Sequence, residues 1–256
     1  MKDRQPTIFG IPIEGVSIEE ILTYVKEGAG KPFWVVTANP EILLFARKDA
    51  SYAHALRQAD LRVVDGFGLW VMLRLFGRRA YRLTGVELSE ALLRMAEERH
   101  WRVGLIGGSH ACVPLISSSV IPAKAGIQPL HATVYWERGG TVLADGSDDD
   151  EGARARQRMA LFDPHVLLVA FGHPKQERWI QRYLSDFSNV RAVVGVGGTF
   201  DFWSGRRKRA PFFLRRMGLE WFWRLLLEPH RIFRIFRAVI VFPLLFIFDA
   251  LAKGKE

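Results

Sequence analysis

Short apolar runs, each closed by a small or polar residue and set beside a stretch of helical spacing, give this chain its rhythm. They are Phe33 to Thr37, Leu61 to Asp65, Arg102 to Ile106, Val166 to Phe171 and Arg191 to Val196. Helical patterns follow at Pro40 to Lys48, Phe67 to Phe76, Lys175 to Leu184 and Leu219 to Leu227, and Val86 to His100 forms another ahead of the third run. Asn39 before Pro40 has the form of an N-cap followed by proline at the first helical position. Strand and helix in alternation predict an α/β fold, doubly wound around a mostly parallel sheet.

Two segments break the rhythm. Residues 117–130, SSSVIPAKAGIQPL, have no helical face and read as a surface insertion; VIPAKAGIQ looks like the translated copy of a dispersed bacterial DNA repeat. The acidic stretch 145–152, DGSDDDEG, has Asp148 and Asp150 at a metal-binding DxD spacing, but its polar setting predicts a solvated helix N-terminus instead. The division expected is a core over residues 1–210 and a basic, aromatic C-terminal appendage over residues 211–256.

A chain of 256 residues with 49% hydrophobic content can bury a full core. Its formal charge of +9 points to an anionic partner: a nucleotide, a lipid phosphate, an anionic membrane or a nucleic acid. The single cysteine, Cys112, excludes an internal disulfide framework and is expected to be a buried, inert thiol of a reducing cytoplasm. MKDRQPTIFGIPIEG lacks the apolar core of a secretory signal. The longest uncharged apolar run, Ala238 to Phe248, has eleven residues, whereas a spanning helix needs roughly 20. Peripheral attachment at the inner face of the cytoplasmic membrane is expected, although the tail would also suit contact with a second copy.

In open α/β sheets ligands collect beyond the carboxyl ends of the strands. Thr37 and Asn39, Asp65 and Gly66, Gly107 and Gly108, Gly172 to Gln176, and Gly197 to Asp201 all fall there, with Gly198 and Thr199 inside the last turn. Asp65 ends an apolar strand in a carboxylate followed by glycine; such a group either caps the next helix or takes a proton from an attacking hydroxyl. Gly107-Gly108-Ser109 lacks the full G-x-G-x-x-G spacing, which argues against a nicotinamide-dependent oxidoreductase. His173 reads as an exposed loop residue, and the helix opening at Lys175 presents its N-terminus to a phosphate or sugar. The turn Gly-Val-Gly-Gly-Thr-Phe-Asp is expected to offer free backbone NH groups to a diphosphate.

Ten lysines and arginines then fall between Arg206 and Arg237, against only Glu220 and Glu228. Trp221, Phe222, Trp223, Phe233 and Phe236 interleave with them, as in an interfacial helix drawn to anionic headgroups. A nucleic-acid-binding module is the competing reading of the charge, but the apolar tail and the lack of a recognisable nucleic-acid motif speak against it.

The succession TANPE, VVDG, RLTG, FGHPKQE, GVGGTFDFWSGRRKRAP and GLEWFWRLLLEPHR closely resembles the WecG/TagA/CpsF glycosyltransferases, glycosyltransferase family 26, over nearly the whole chain. The resemblance implies a Rossmann-like fold without a metal site or cofactor. It also implies inverting transfer of an N-acetylmannosamine-type or related sugar from a UDP-sugar to a polyprenyl-diphosphate-linked sugar. By motif, Asp65 resembles the general base, Thr37 a residue that positions or polarises substrate, and Asn39 its neighbour. Arg82 and Gln176 match pocket positions, and Arg207, Arg209, Arg215, Arg224 and Arg231 are candidates for diphosphate contacts. The resemblance weakens between Gly108 and Asp163. Removing the chain from Met217 onward is expected to abolish transfer and leave the core folded.

Overall fold

The computed structural model describes residues 6–28, 31–108, 132–211, 213–214, 217–229 and 232–253. Cys112 and the segment 117–130 therefore lie outside the described residues, as do Arg215 and Arg231. A small antiparallel hairpin, β1 (Thr7–Ile8) and β2 (Ile11–Pro12), precedes the main sheet. That sheet contains β3 (Phe33–Ala38), β4 (Leu61–Val64), β5 (Val103–Gly107), β6 (Val134–Glu137), β7 (Val166–Ala170) and β8 (Ala192–Gly195). Its order is β4-β3-β8-β7-β5-β6, and every pair is parallel. In register, Val35 stands opposite both Leu61 and Val194.

Successive side chains point to opposite faces of a strand, and here both faces are apolar. Val35, Val63, Leu105, Leu168 and Val194 enter one core cluster together with Ile21 and Val25 of α1 (Ile18–Glu27) and Leu88 and Leu92 of α5 (Gly85–Glu98). Val36, Val64, Ile106, Val169 and Val193 enter the other. There they meet Leu43 of α2 (Pro40–Ala46), Tyr52 of α3 (Ala50–Gln58) and Leu69 of α4 (Phe67–Leu75). Met159 of α6 (Asp150–Phe162) and Trp179 of α7 (Lys175–Tyr183) complete that layer. The doubly wound architecture follows from this two-sided covering.

Local signals fix several helix starts. The Asn39 side chain accepts from the Glu41 and Ile42 amides at 3.0 and 3.1 Å, with Pro40 at the first position. Reciprocal capping boxes, Ser17 with Glu20 and Thr84 with Glu87, begin α1 and α5. The acidic stretch does hold a helix start, since Asp149 caps α6 through the Gly152 amide at 2.8 Å. Asp148, however, is not solvated. Its carboxylate is buried against Arg156 at 2.8 Å and the Trp179 indole at 2.6 Å, so both oxygens serve packing.

After β8 come α8 (Thr199–Trp203), α9 (Glu220–Leu227) and α10 (Ile232–Phe236), then a π-helical turn Arg237–Val241 and α11 (Phe242–Lys253). Pro243 explains the wide turn: it has no N–H to continue the α-helical ladder, and the Phe242 amide instead bonds back to the Arg237 carbonyl. No helix among the described residues is long and apolar enough to cross a membrane. Phe242 and Phe246 are buried in the core cluster, while Phe233, Phe236, Leu244 and Phe248 remain exposed. One side of the tail therefore belongs to the fold and the other faces outward.

Candidate active site

The loops after β3, β4, β5, β7 and β8 converge with the appendage on a cleft of about 790 Å³. Thr37, Asn39, Asp65 and Arg82 line it, as do Gly108, Gly172 and Gln176. The turn after β8 contributes Gly197, Gly198, Thr199 and Asp201, and the segment behind it Arg206, Arg207 and Arg209. The appendage supplies Trp221, Glu228 and Arg234.

Asp65 continues from β4, its amide donating to the Ala38 carbonyl at 2.7 Å. The next helix, α4, takes Gly66, which has no side chain, as its N-cap. Arg82 is held beside this strand because the Leu83 amide bonds to the Val64 carbonyl at 2.9 Å. Thr37 is buried and donates to the Gly195 carbonyl at 3.2 Å, linking the ends of β3 and β8. A Cβ on Gly85 would lie 3.7 Å from the Thr37 hydroxyl and 3.6 Å from that of Thr199, which places the two threonines around one small residue. Thr199 is itself turned inward, donating to the Val196 carbonyl at 2.8 Å.

Backbone NH groups expected to be open to a diphosphate are in part already used. The amides of Gly172 and Gly197 donate to the Gln176 side-chain oxygen at 3.2 and 3.1 Å, and those of Val196 and Thr199 bond within the backbone. Gly107 lies outside the cleft lining. A Cβ there would stand 2.8 Å from the Ala170 backbone, so this glycine allows close strand packing at φ 96° instead of ligand approach. Gly108 does line the cleft, against the Phe200 ring.

Arg207, Arg209 and Arg234 stand beside carboxylates. Arg207 reaches Asp201 at 3.4 Å and Glu228 at 3.6 Å, and Arg209 lies 4.0 Å from Glu90. Arg224 belongs to α9. Arg234, from α10, pairs with Glu41 of the core and so fastens the appendage across the cleft mouth. A second fastening is steric: Gly218, at φ 75°, lies so close to the Phe67 ring that any side chain would collide with it.

His173 proves to be a cleft residue and only a quarter exposed, with Nε2 3.7 Å from Glu41. Burial holds its imidazole below the usual histidine range; the Glu41 carboxylate opposes this and the Arg234 guanidinium reinforces it. Neutral His173 therefore contributes stability above the unfolded value of 6.5, lost as pH falls through the lower folded value. His173→Gln should reduce the loss of thermal stability on acidification from about pH 7 to about pH 5, measured by calorimetry at matched ionic strength. An unchanged pH dependence would contradict the buried environment.

The sequence profile described as the Glycosyl transferase WecG/TagA/CpsF family matches residues 6–256. The chain belongs to this family. A protein of Staphylococcus aureus (strain NCTC 8325 / PS 47) is named N-acetylglucosaminyldiphosphoundecaprenol N-acetyl-beta-D-mannosaminyltransferase. It is 31% identical over 219 residues, covering 85% of this chain and 81% of that protein. The protein of the same name from strain MRSA252 is 30% identical over the same shares. The chain is accordingly a glycosyltransferase, and its chemistry is transfer of a sugar from a donor. Among the described residues of this WecG/TagA/CpsF enzyme, no group of three or more His, Cys, Asp or Glu side chains could hold a metal ion.

Proposed function

We propose that this glycosyltransferase moves an N-acetylmannosamine-type or related hexose from a UDP-sugar to a polyprenyl-diphosphate-linked sugar, with inversion, in cell-surface polysaccharide or teichoic acid assembly. The names of its relatives support the sugar and the lipid-linked N-acetylglucosamine acceptor. The observation that carries the reading is one cleft holding the Asp65 carboxylate, Arg206, Arg207 and Arg209. Loops after β4 and β8 bring them there, on either side of β3.

In this reading Asp65 accepts the proton of the acceptor hydroxyl as its oxygen bonds to the anomeric carbon. The bond from that carbon to the diphosphate oxygen breaks on the opposite face, and UDP departs with the electron pair. Arg206, Arg207 and Arg209 stabilise the growing negative charge without a metal. Thr37 and Asn39 orient the sugar, and Arg82 its polar groups. A panel of UDP-sugars with a polyprenyl-diphosphate-N-acetylglucosamine analogue tests the reading. Transfer should be fastest with UDP-N-acetylmannosamine, give the inverted anomer and survive a chelator; no transfer from any UDP-sugar would overturn it.

The enzyme is also proposed to work peripherally on the inner face of the cytoplasmic membrane, where both substrates meet. The exposed apolar side of the appendage, with Phe233, Phe236 and Phe248, supports this, as does the chain's +9 charge. Each basic residue near an anionic surface adds about 1 kcal/mol. Co-sedimentation with phosphatidylglycerol vesicles should be strong at low salt and weaken as salt rises. Self-association in its place, seen by analytical ultracentrifugation, would assign the apolar side to a second copy.

A further inference from the structure

The Gln176 carboxamide lies between the loops after β7 and β8, and it is only 3% exposed. Its oxygen accepts from the Gly172 amide at 3.2 Å and from the Gly197 amide at 3.1 Å. These two loops form adjoining parts of the cleft wall. The bonds exist in only one of the two orientations a carboxamide can take, because the flipped amide would turn its NH₂ group toward two N–H donors. Something must hold it.

Glu177 is next in sequence and fully enclosed. Its Oε1 accepts from Gln176 Nε2 at 2.7 Å, and its Oε2 accepts from the Tyr52 hydroxyl at 2.9 Å. Tyr52 is also buried, and its backbone amide donates to Asp49 Oδ1, the N-cap of α3, at 2.8 Å. Asp49 in turn pairs with Arg178 at 2.7 Å. Gly195 completes the seat: a Cβ there would stand 2.7 Å from Gln176 Nε2, so the amide can lie flat on the end of β8. Burial pushes the Glu177 carboxyl above the usual range while the hydrogen bonds from Gln176 and Tyr52 pull it down. A buried acid with both oxygens engaged and no exposure to substrate is a costly feature for packing alone.

We propose that Glu177 and Tyr52 are positioning residues for glycosyl transfer, locking the Gln176 carboxamide so that its oxygen ties the Gly172 and Gly197 loops into one fixed wall of the donor subsite. The link to the donor rests on the reading that this wall takes the UDP group; the lock itself does not. Gln176 is thereby a brace between loops, set by Glu177 of its own helix, which is held in turn by Tyr52 of α3.

Glu177→Met removes both acceptors at similar volume, whereas Glu177→Gln keeps one oxygen to accept from Gln176 Nε2 and can turn its NH₂ group to donate to the Tyr52 oxygen. UDP binding is read by titration calorimetry, KM for the donor and kcat by assay, and exchange of the Gly172 and Gly197 amides by NMR of glycine-labelled enzyme. Glu177→Met should raise the UDP Kd and donor KM about tenfold, leave acceptor KM unchanged and speed exchange of both amides. Glu177→Gln should recover most of each change. Tyr52→Phe should shift the same readouts in the same direction by less, and it decides the matter if Glu177→Met does not fold. Wild-type exchange and UDP affinity in a folded Glu177→Met, or in Tyr52→Phe where that variant decides, would overturn the lock. Failure of the wild type to bind UDP would overturn the donor reading alone, and amide exchange would still decide the lock.

Discussion

Asp65→Asn should lower turnover by about 10²- to 10⁴-fold, the range associated with general base catalysis, while UDP affinity and thermal stability stay near wild type. The substitution is nearly isosteric. It keeps the backbone bond from residue 65 to the Ala38 carbonyl, and α4 still begins at Gly66. What is lost is the ability to accept a proton. A pre-steady-state assay with saturating donor and acceptor separates the chemical step from product release. Near-normal turnover in folded Asp65→Asn would remove Asp65 as the base and make His173, in the same cleft, the next group to examine.

The second large effect concerns stability. Phe242→Ala should cost about 3–5 kcal/mol, as expected for a large aromatic removed from a packed core, against a total of about 5–15 kcal/mol for an ordinary domain. Phe242 is fully buried and meets the Phe9 ring edge-on at 6.1 Å. Its neighbour Phe246 meets Phe76 of the segment after α4 at 5.2 Å. The Phe9 amide, in the turn of the hairpin, donates to Asp249 at 3.3 Å. Deletion from Met217 onward therefore removes part of the core as well as the cleft cover, so the remaining core is expected to be less stable than the whole chain. Urea unfolding of Phe242→Ala and of the truncated chain measures the loss; wild-type midpoints in both would show that α11 contributes no stability.

The five strands predicted from apolar runs agree with the structure to within a residue at either end, because a strand covered on both faces has no polar side to interrupt it. The same logic explains what stayed hidden. β6 is an edge strand with every residue only partly buried, and its apolar run, Val134 to Trp136, is too short to stand out. β1 and β2 are two residues each, too short for any period to register. α1 was open to discovery, since Ser17 and Glu20 spell a capping box before an apolar face.

For the site, the rule that ligand loops follow strand ends brought Thr37, Asp65, Gln176 and Asp201 to one cleft from sequence alone. Roles set by distant partners were not legible. Nothing in FGHPKQE shows that Gln176 spends its oxygen on Gly197, or that Glu177 meets a tyrosine 125 positions away. His173 read as exposed because its cover, Glu41 and Arg234, comes from two other parts of the chain.

The Asp249 bond to Phe9 also orders events in time. The carboxylate that caps the Phe9 amide lies 240 positions further along the chain, and the ring that covers Phe9 comes from the same helix, α11. Domains tend to form from the N-terminus as they emerge, but here the hairpin turn cannot be completed until α11 has been made. Docking of α11 on the hairpin is thus a contact of long sequence separation, the slowly formed kind, and the Phe9 ring stays uncovered until it forms.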